Sequence, residues 1–155
     1  GVPASAVRDV FIWGNHANTM YPDPRFGTVG GLPITNLIDA EWLQGQFIET
    51  VSTRGKAIIV ARGASSAASA ASAAIDHMRD WWQGTNGRIV SMAIPSEGWY
   101  GVPKGLVFSF PCRCENGGIV VVEDLPIDGF AQSKIDENIA ALLEERDAVR
   151  ELLGN

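Results

Sequence analysis

Val10-Phe11-Ile12-Trp13-Gly14-Asn15-His16 is an apolar, β-prone run that stops at a glycine and then presents a histidine. At the end of a buried strand a histidine has its backbone fixed by the sheet, while its imidazole reaches into the cleft beyond, where α/β proteins commonly place reactive groups. His16 is therefore the leading site candidate. An imidazole of ordinary pKa, about 6.5, serves as a proton donor, a metal ligand or a satisfied polar group at a strand end. The spacing alone leaves all three open.

Upstream of this run Arg8 and Asp9 give way to continuous apolar sequence, which predicts one strand from Val7 to Trp13 entering a buried sheet. Downstream, the glycines and prolines between Asp23 and Pro33 predict a loop. The cluster Gly27-Thr28-Val29-Gly30-Gly31 lacks the preceding strand and following helix of a phosphate cradle. Asp39 is placed to cap a helix, and Trp42, Leu43, Phe47, Ile48 and Val51 recur at helical spacing, so residues 39 to 52 form an amphipathic helix that continues through Arg54 to Ala61. Ala64 to Ala74 is almost wholly alanine and serine, and it runs unbroken into Ile75, Met78, Trp81 and Trp82. That pattern fits a slender helix ending at Gly84, and a linker would not acquire an apolar face.

From Gly84 the texture changes. Ile89 to Ile94, Leu106 to Phe110 and Gly118 to Val122 are short β-prone runs separated by turn residues, which predicts an antiparallel sheet. The last stretch, Ser133 to Leu153, puts Ile135, Ile139, Leu142, Leu143, Val149, Leu152 and Leu153 on one stripe, as a helix laid across the sheet would. The order of strand, long helices, antiparallel strands and helix makes the expected class α+β.

Composition narrows the function. At 46% hydrophobic and 19% charged, residues 1–155 suit one globular domain. The net charge of −6, with scattered basic residues, gives no footprint for nucleic acid or for an anionic membrane. No apolar run is long enough for a membrane-spanning helix, and the start lacks the order of a signal peptide, although Gly1-Val2-Pro3 also lacks an initiator methionine. Cys112 and Cys114, two apart on an expected strand, share a face but are poorly placed to pair, and no histidine–cysteine cluster surrounds them for a metal. Reduced thiols and a cytoplasmic location are the expectation.

Several further stretches carry a resemblance. They are Ala17-Asn18-Thr19-Met20-Tyr21-Pro22-Asp23, Arg54-Gly55, Arg62 through Ala71, Asp76-His77, Trp81, Gly84-Thr85, Val90-Ser91-Met92, Tyr100-Gly101-Val102-Pro103 and Phe108-Ser109-Phe110-Pro111. With the opening run they resemble, in one register from Val7 to the final helix, the carboxy-terminal half of the malate dehydrogenase family, cytosolic-type branch. The resemblance implies the C-terminal-domain fold of lactate and malate dehydrogenases, with long helices packed on an antiparallel sheet. It also implies NAD-dependent exchange of a hydride with C2 of malate or oxaloacetate, and His16 as the group that gives and takes the proton on oxygen.

The same resemblance assigns Ser65 to the wall of the substrate pocket, where its hydroxyl would bond the substrate carboxylate or a cofactor edge. Read from the residues, Ser65 or Ser66 equally suits a helix cap. Gly63-Ala64-Ser65-Ser66-Ala67 is not a hydrolase elbow. Asn15 is expected to orient the turn behind His16, His77 to pack in a core or interface, and Arg54 and Arg62 are not assigned to catalysis.

Two of the family's partners have no counterpart in this chain. The aspartate that orients the histidine and the arginine that grips the substrate carboxylate fall earlier than Gly1 in that register, and Arg8-Asp9 does not match them. A Rossmann half with G-x-G-x-x-G is also missing from the sequence. Residues 1–155 thus read as a substrate and catalytic domain, inactive without its nucleotide-binding half. Ala17-Asn18-Thr19-Met20 departs from the family's usual serine- and glutamine-containing sequence, and the turn at Asn86-Gly87-Arg88 is shorter than usual. The expected partners are malate or oxaloacetate, the Rossmann half and a second copy in a homodimer, with no metal. The competing readings are a non-catalytic dimerising domain of the same fold and a lactate-type dehydrogenase half.

Overall fold

The computed structural model describes residues 1–153, without the side chains of Glu151 and Leu153. It opens with a 3-10 turn and two short strands, β1 (Val7–Arg8) and β2 (Phe11–Trp13). The single strand expected from Val7 to Trp13 is broken at Asp9, whose backbone takes a positive φ of 57°. Its carboxylate accepts the Ile89 N–H at 2.7 Å. A side-chain bond thus replaces strand pairing at that point.

The glycine- and proline-rich stretch after His16 is not a loop throughout. It contains β3 (Tyr21–Asp23), β4 (Thr28–Val29) and β5 (Leu32–Pro33). β2 and β3 pair antiparallel with Trp13 opposite Tyr21, so the opening run is one arm of a hairpin whose tip carries His16. β4 and β5 form a second hairpin that also pairs with β1. Gly30 and Gly31 supply the two positive φ angles its two-residue turn requires. Prolines hid these strands: Pro22 and Pro33 both stand in ladder positions where they donate nothing.

Asp39 caps α1 (Ala40–Gln44) as expected, its carboxylate accepting from the Glu41 and Trp42 N–H groups. The predicted continuous helix is interrupted at Gly45, and α2 follows over Gln46–Arg62, ending at Gly63 in the left-handed region. The alanine–serine run is helical as α3 (Ala67–Gln83) and ends at Gly84. No residue of α2 or α3 is fully buried.

The second half is the expected antiparallel sheet, β6 (Val90–Pro95), β7 (Val107–Glu115) and β8 (Gly118–Val121), with β7 central. Phe108, Phe110, Cys112 and Cys114 alternate along β7 into the core and are fully buried. Both cysteines are free, and burial pushes the Cys112 thiol up to about 12. Phe11, Trp13, Tyr21, Met92 and Ile135 complete this aromatic-rich core.

The final helix begins four residues before the expected Ser133, as α4 (Gly129–Ala148), because Asp128 accepts the Ala131 N–H and caps it there. It breaks at Val149, and α5 (Arg150–Leu153) follows. The predicted stripe therefore holds only in its first part. Ile135 is buried and Ile139, Leu142 and Leu143 pack on the core, but Leu152 is 85% exposed. Leu153's place on the stripe lies outside the described residues. Among the described residues no helix is long and apolar enough to cross a membrane.

One buried carboxylate ties the hairpin to α4. Asp23, fully buried, accepts the Trp13 indole N–H at 3.0 Å and both the Nε and Nη2 of Arg25 at 3.0 and 2.8 Å. Arg25 reaches on to Asp128 at 3.1 Å. Removing the carboxylate leaves the indole N–H without its acceptor and the guanidinium with only Asp128 and the Pro126 carbonyl. Asp23→Ala is expected to cost about 3–5 kcal/mol in urea unfolding. Asp128→Ala removes a cap and is expected to cost about 0.5–2 kcal/mol. The Ala131 N–H, followed by Arg25, holds the Asp128 carboxyl below the usual carboxylate range. Asp128 therefore stabilises the fold above that range, and its contribution fades as pH falls through the folded-state value. Unfolding curves of wild type and Asp128→Ala are expected to converge in acid; a constant gap would sink this assignment.

Candidate active site

The end of β2 is fixed from three sides. Gly14 and Ser109 of β7 exchange both backbone hydrogen bonds, N–H to O at 3.2 and 2.9 Å, and this bridge joins the hairpin to the three-stranded sheet. Two residues earlier, Ser91 Oγ accepts the Ile12 N–H at 2.8 Å and Ser109 Oγ donates to the Ile12 carbonyl at 2.7 Å. Two serine hydroxyls thus take the places of backbone partners at Ile12, because β2 joins the three-stranded sheet's ladder only through the Gly14 bridge. From α4, the fully buried Asn138 presses against the turn that follows.

Gly14 is required here. Its φ is +93°, and a Cβ would stand 1.9 Å from Asn138 Oδ1, so both conformation and space exclude a side chain. Asn15 then donates its backbone N–H to Asn138 Oδ1 at 3.2 Å, while its own Oδ1 accepts from Thr19 Oγ1 at 2.9 Å. Asn15 Nδ2 is buried with no hydrogen-bond partner among the described residues.

His16 is exposed on the turn and lines a cleft of about 980 Å³. α3 forms the facing wall with Ala73, Ala74 and His77, and α4 contributes Leu142 and Glu145. His77 is thus not a core residue: it is exposed on α3 and shares the cleft with His16. Ser91 and Ser109 form part of the floor. The alanines leave room for a ligand between α3 and the turn, as a slender helix should.

Ser65 lies elsewhere. It is exposed on the link between α2 and α3, its carbonyl accepts from Arg62 Nη1 at 2.9 Å, and it is not among the residues lining this cleft. The cap alternative is not realised through Ser66, whose side chain makes no capping bond to α3. Among the described residues no group of three or more histidines, cysteines or acids is placed to hold a metal ion.

Three residues of this arrangement were given no site role from the sequence: Ser91 and Ser109, quoted only within the stretches that carry the resemblance, and Asn138. Each did leave a signal. The serines interrupt otherwise apolar strands, and Asn138 falls on the apolar stripe between Ile135 and Leu142. A polar residue on a buried face needs a specific partner, and all three find theirs on the His16 turn or the strand leading to it.

The fold has counterparts in known proteins. Residues 1–153 match the lactate/malate dehydrogenase, alpha/beta C-terminal domain. A malate dehydrogenase from Naegleria fowleri superposes with a TM-score of 0.89 at 46% identity, over 98% of this chain and 47% of its own. A Trichomonas vaginalis lactate dehydrogenase, solved with NADH and oxamate, gives 0.89 at 32% identity, over 99% and 49%. The malate dehydrogenase of Aeropyrum pernix gives 0.79 at 26% identity, over 96% and 48%. The chain spans about half the length of these relatives. It belongs to the lactate/malate dehydrogenase family, whose alpha/beta C-terminal domain it forms.

Proposed function

We propose that this chain supplies the substrate and catalytic half of an NAD-dependent malate dehydrogenase, interconverting (S)-malate and oxaloacetate. The observation that carries the reading is His16, exposed at the tip of a hairpin that is clamped on every other side and opens on a cleft. A mobile surface histidine would need no such support. A proton-transfer group does, because its efficiency depends on holding the imidazole within hydrogen-bond reach of one oxygen.

Reduction of oxaloacetate turns a carbonyl oxygen into a hydroxyl, and that oxygen must gain a proton. His16 donates it from a ring nitrogen, and in the reverse direction the same nitrogen takes the proton from the malate hydroxyl. NAD supplies the hydride chemistry when bound. Residues 1–155 contain no G-x-G-x-x-G turn, so the reading assigns the dinucleotide site mainly to a Rossmann half outside them. Asn15 is proposed to hold the turn, whereas Ser65, outside the cleft, is given no part in this site. The buried, free cysteines suit a reducing, cytoplasmic setting.

Oxaloacetate-dependent NADH oxidation by the full-length protein tests this. His16→Asn is expected to lower the rate by at least about 10²-fold, the range of a lost general acid. A variant that keeps the wild-type rate removes His16 from the mechanism. The 32% identity to a lactate dehydrogenase over almost the whole chain favours a second reading, in which the substrate is a monocarboxylic 2-oxo acid. The ratio of rates on oxaloacetate and pyruvate separates the two. No turnover of either by the protein with its nucleotide-binding half intact would leave a non-catalytic dimerising domain.

A homodimer belongs to the same proposal. α2 and α3 leave Ile59, Val60, Ile75, Met78 and Trp82 exposed, an apolar surface that small neighbouring residues let a second backbone approach. Sedimentation at micromolar concentration is expected to give a dimer. A monomer there overturns the assignment.

A further inference from the structure

We propose that Asn138 is a positioning residue for His16, selecting the conformation of the turn that presents the imidazole. The proposal rests on the proton-transfer role given to His16 above. Asn138 uses both ends of its amide: Oδ1 accepts the Asn15 N–H at 3.2 Å, and Nδ2 donates to the Thr19 carbonyl at 2.6 Å. These two groups flank His16 on either side. One side chain therefore bridges the entry and the exit of the turn. A second bond from Nδ2, to the Lys134 carbonyl one helical turn back at 2.9 Å, locks the amide against its own helix.

The cost of placing an amide there makes it selective. Asn138 is fully buried on the face of α4 that carries Ile135, Ile139 and Leu142. An apolar side chain would fill that site without needing partners, whereas a buried amide is tolerated only when its donor and acceptor are both engaged. The helix itself satisfies one N–H of the amide through the Lys134 carbonyl, but its Oδ1 and its other N–H are engaged only when Asn15 and Thr19 stand where they do now. Gly14 completes the match, since the approach of Asn138 Oδ1 leaves no room for a Cβ at position 14. Inside the turn the Thr19 Oγ1 bond to Asn15 Oδ1 draws the same two residues together. A displacement of about 1 Å in a reacting group costs up to about 10²-fold in rate, so the amide acts on catalysis without touching substrate.

The test compares wild type, Asn138→Leu and Asn138→Ala in the full-length protein. Leucine fills the space with a strong helix former, and so keeps the variant folded if alanine leaves too large a hole. In both, kcat for oxaloacetate reduction is expected to fall about 10- to 100-fold with KM changed by less than about 3-fold. Hydrogen exchange is read by mass spectrometry on peptides spanning the turn and, as an internal control, on peptides from β7. Turn amides from Asn15 to Thr19 should exchange at least about 10-fold faster while Phe108 to Cys114 are unchanged. Unchanged turn exchange, equal acceleration in both regions, or an unaltered kcat would each overturn the proposal. Failure of the malate dehydrogenase reading shows differently: wild type or His16→Asn would give the wrong activity, while the exchange comparison still reports on the turn.

Discussion

The close approach of α4 to the end of β2 is the constraint on which the site depends. The Asn138 amide occupies the space that a Cβ at position 14 would need. On the opposite side the Gly14 backbone is bonded to Ser109, so the strand end is held between the helix and the central strand of the sheet. A short strand with a polar turn at its tip would fray if left alone. Here it is anchored by backbone bonds, two hydroxyls and one amide, and the residue that follows faces an open cleft.

The rest of the core supports that anchorage. Trp13 stacks edge-on against Tyr100 and Phe11, and its indole N–H is used by Asp23, so the aromatic that precedes Gly14 has no freedom to turn. Through Arg25 the same carboxylate is connected to Asp128, which caps α4. The helix that delivers Asn138 is thereby tied at its start to the hairpin that Asn138 clamps. α2 and α3 pack at the edge of this unit. α3 walls the cleft and both helices expose apolar surface, and no residue of either is fully buried.

Much of this was legible in the chain. The β-prone runs between Ile89 and Val122, the glycine stop at Gly84 and the Asp39 cap are local signals, and each has its counterpart in the structure. The elements that misled were those where a side chain overrides the backbone pattern. Asp9 breaks a strand by bonding Ile89, and Asp128 starts a helix before the apolar stripe begins. Prolines 22 and 33 lie within ladders that their sequence argues against, because ladder positions that need no N–H tolerate them.

The sequence by itself determined the class of the fold and the singular position of His16, because hydrophobic period and a glycine stop act over a few neighbouring residues. It also carried the family's motifs in register, now matched over residues 1–153. Only the tertiary structure decided what stands around His16. Asn138 lies 123 residues from Asn15 in the chain, and Ser109 lies 97 from Ile12. No local pattern encodes which buried amide or hydroxyl will meet which backbone group, since that depends on how the hairpin, the sheet and α4 pack together. The same packing put His77, expected in a core or an interface, on the cleft wall, and left Ser65 on an exposed link outside it.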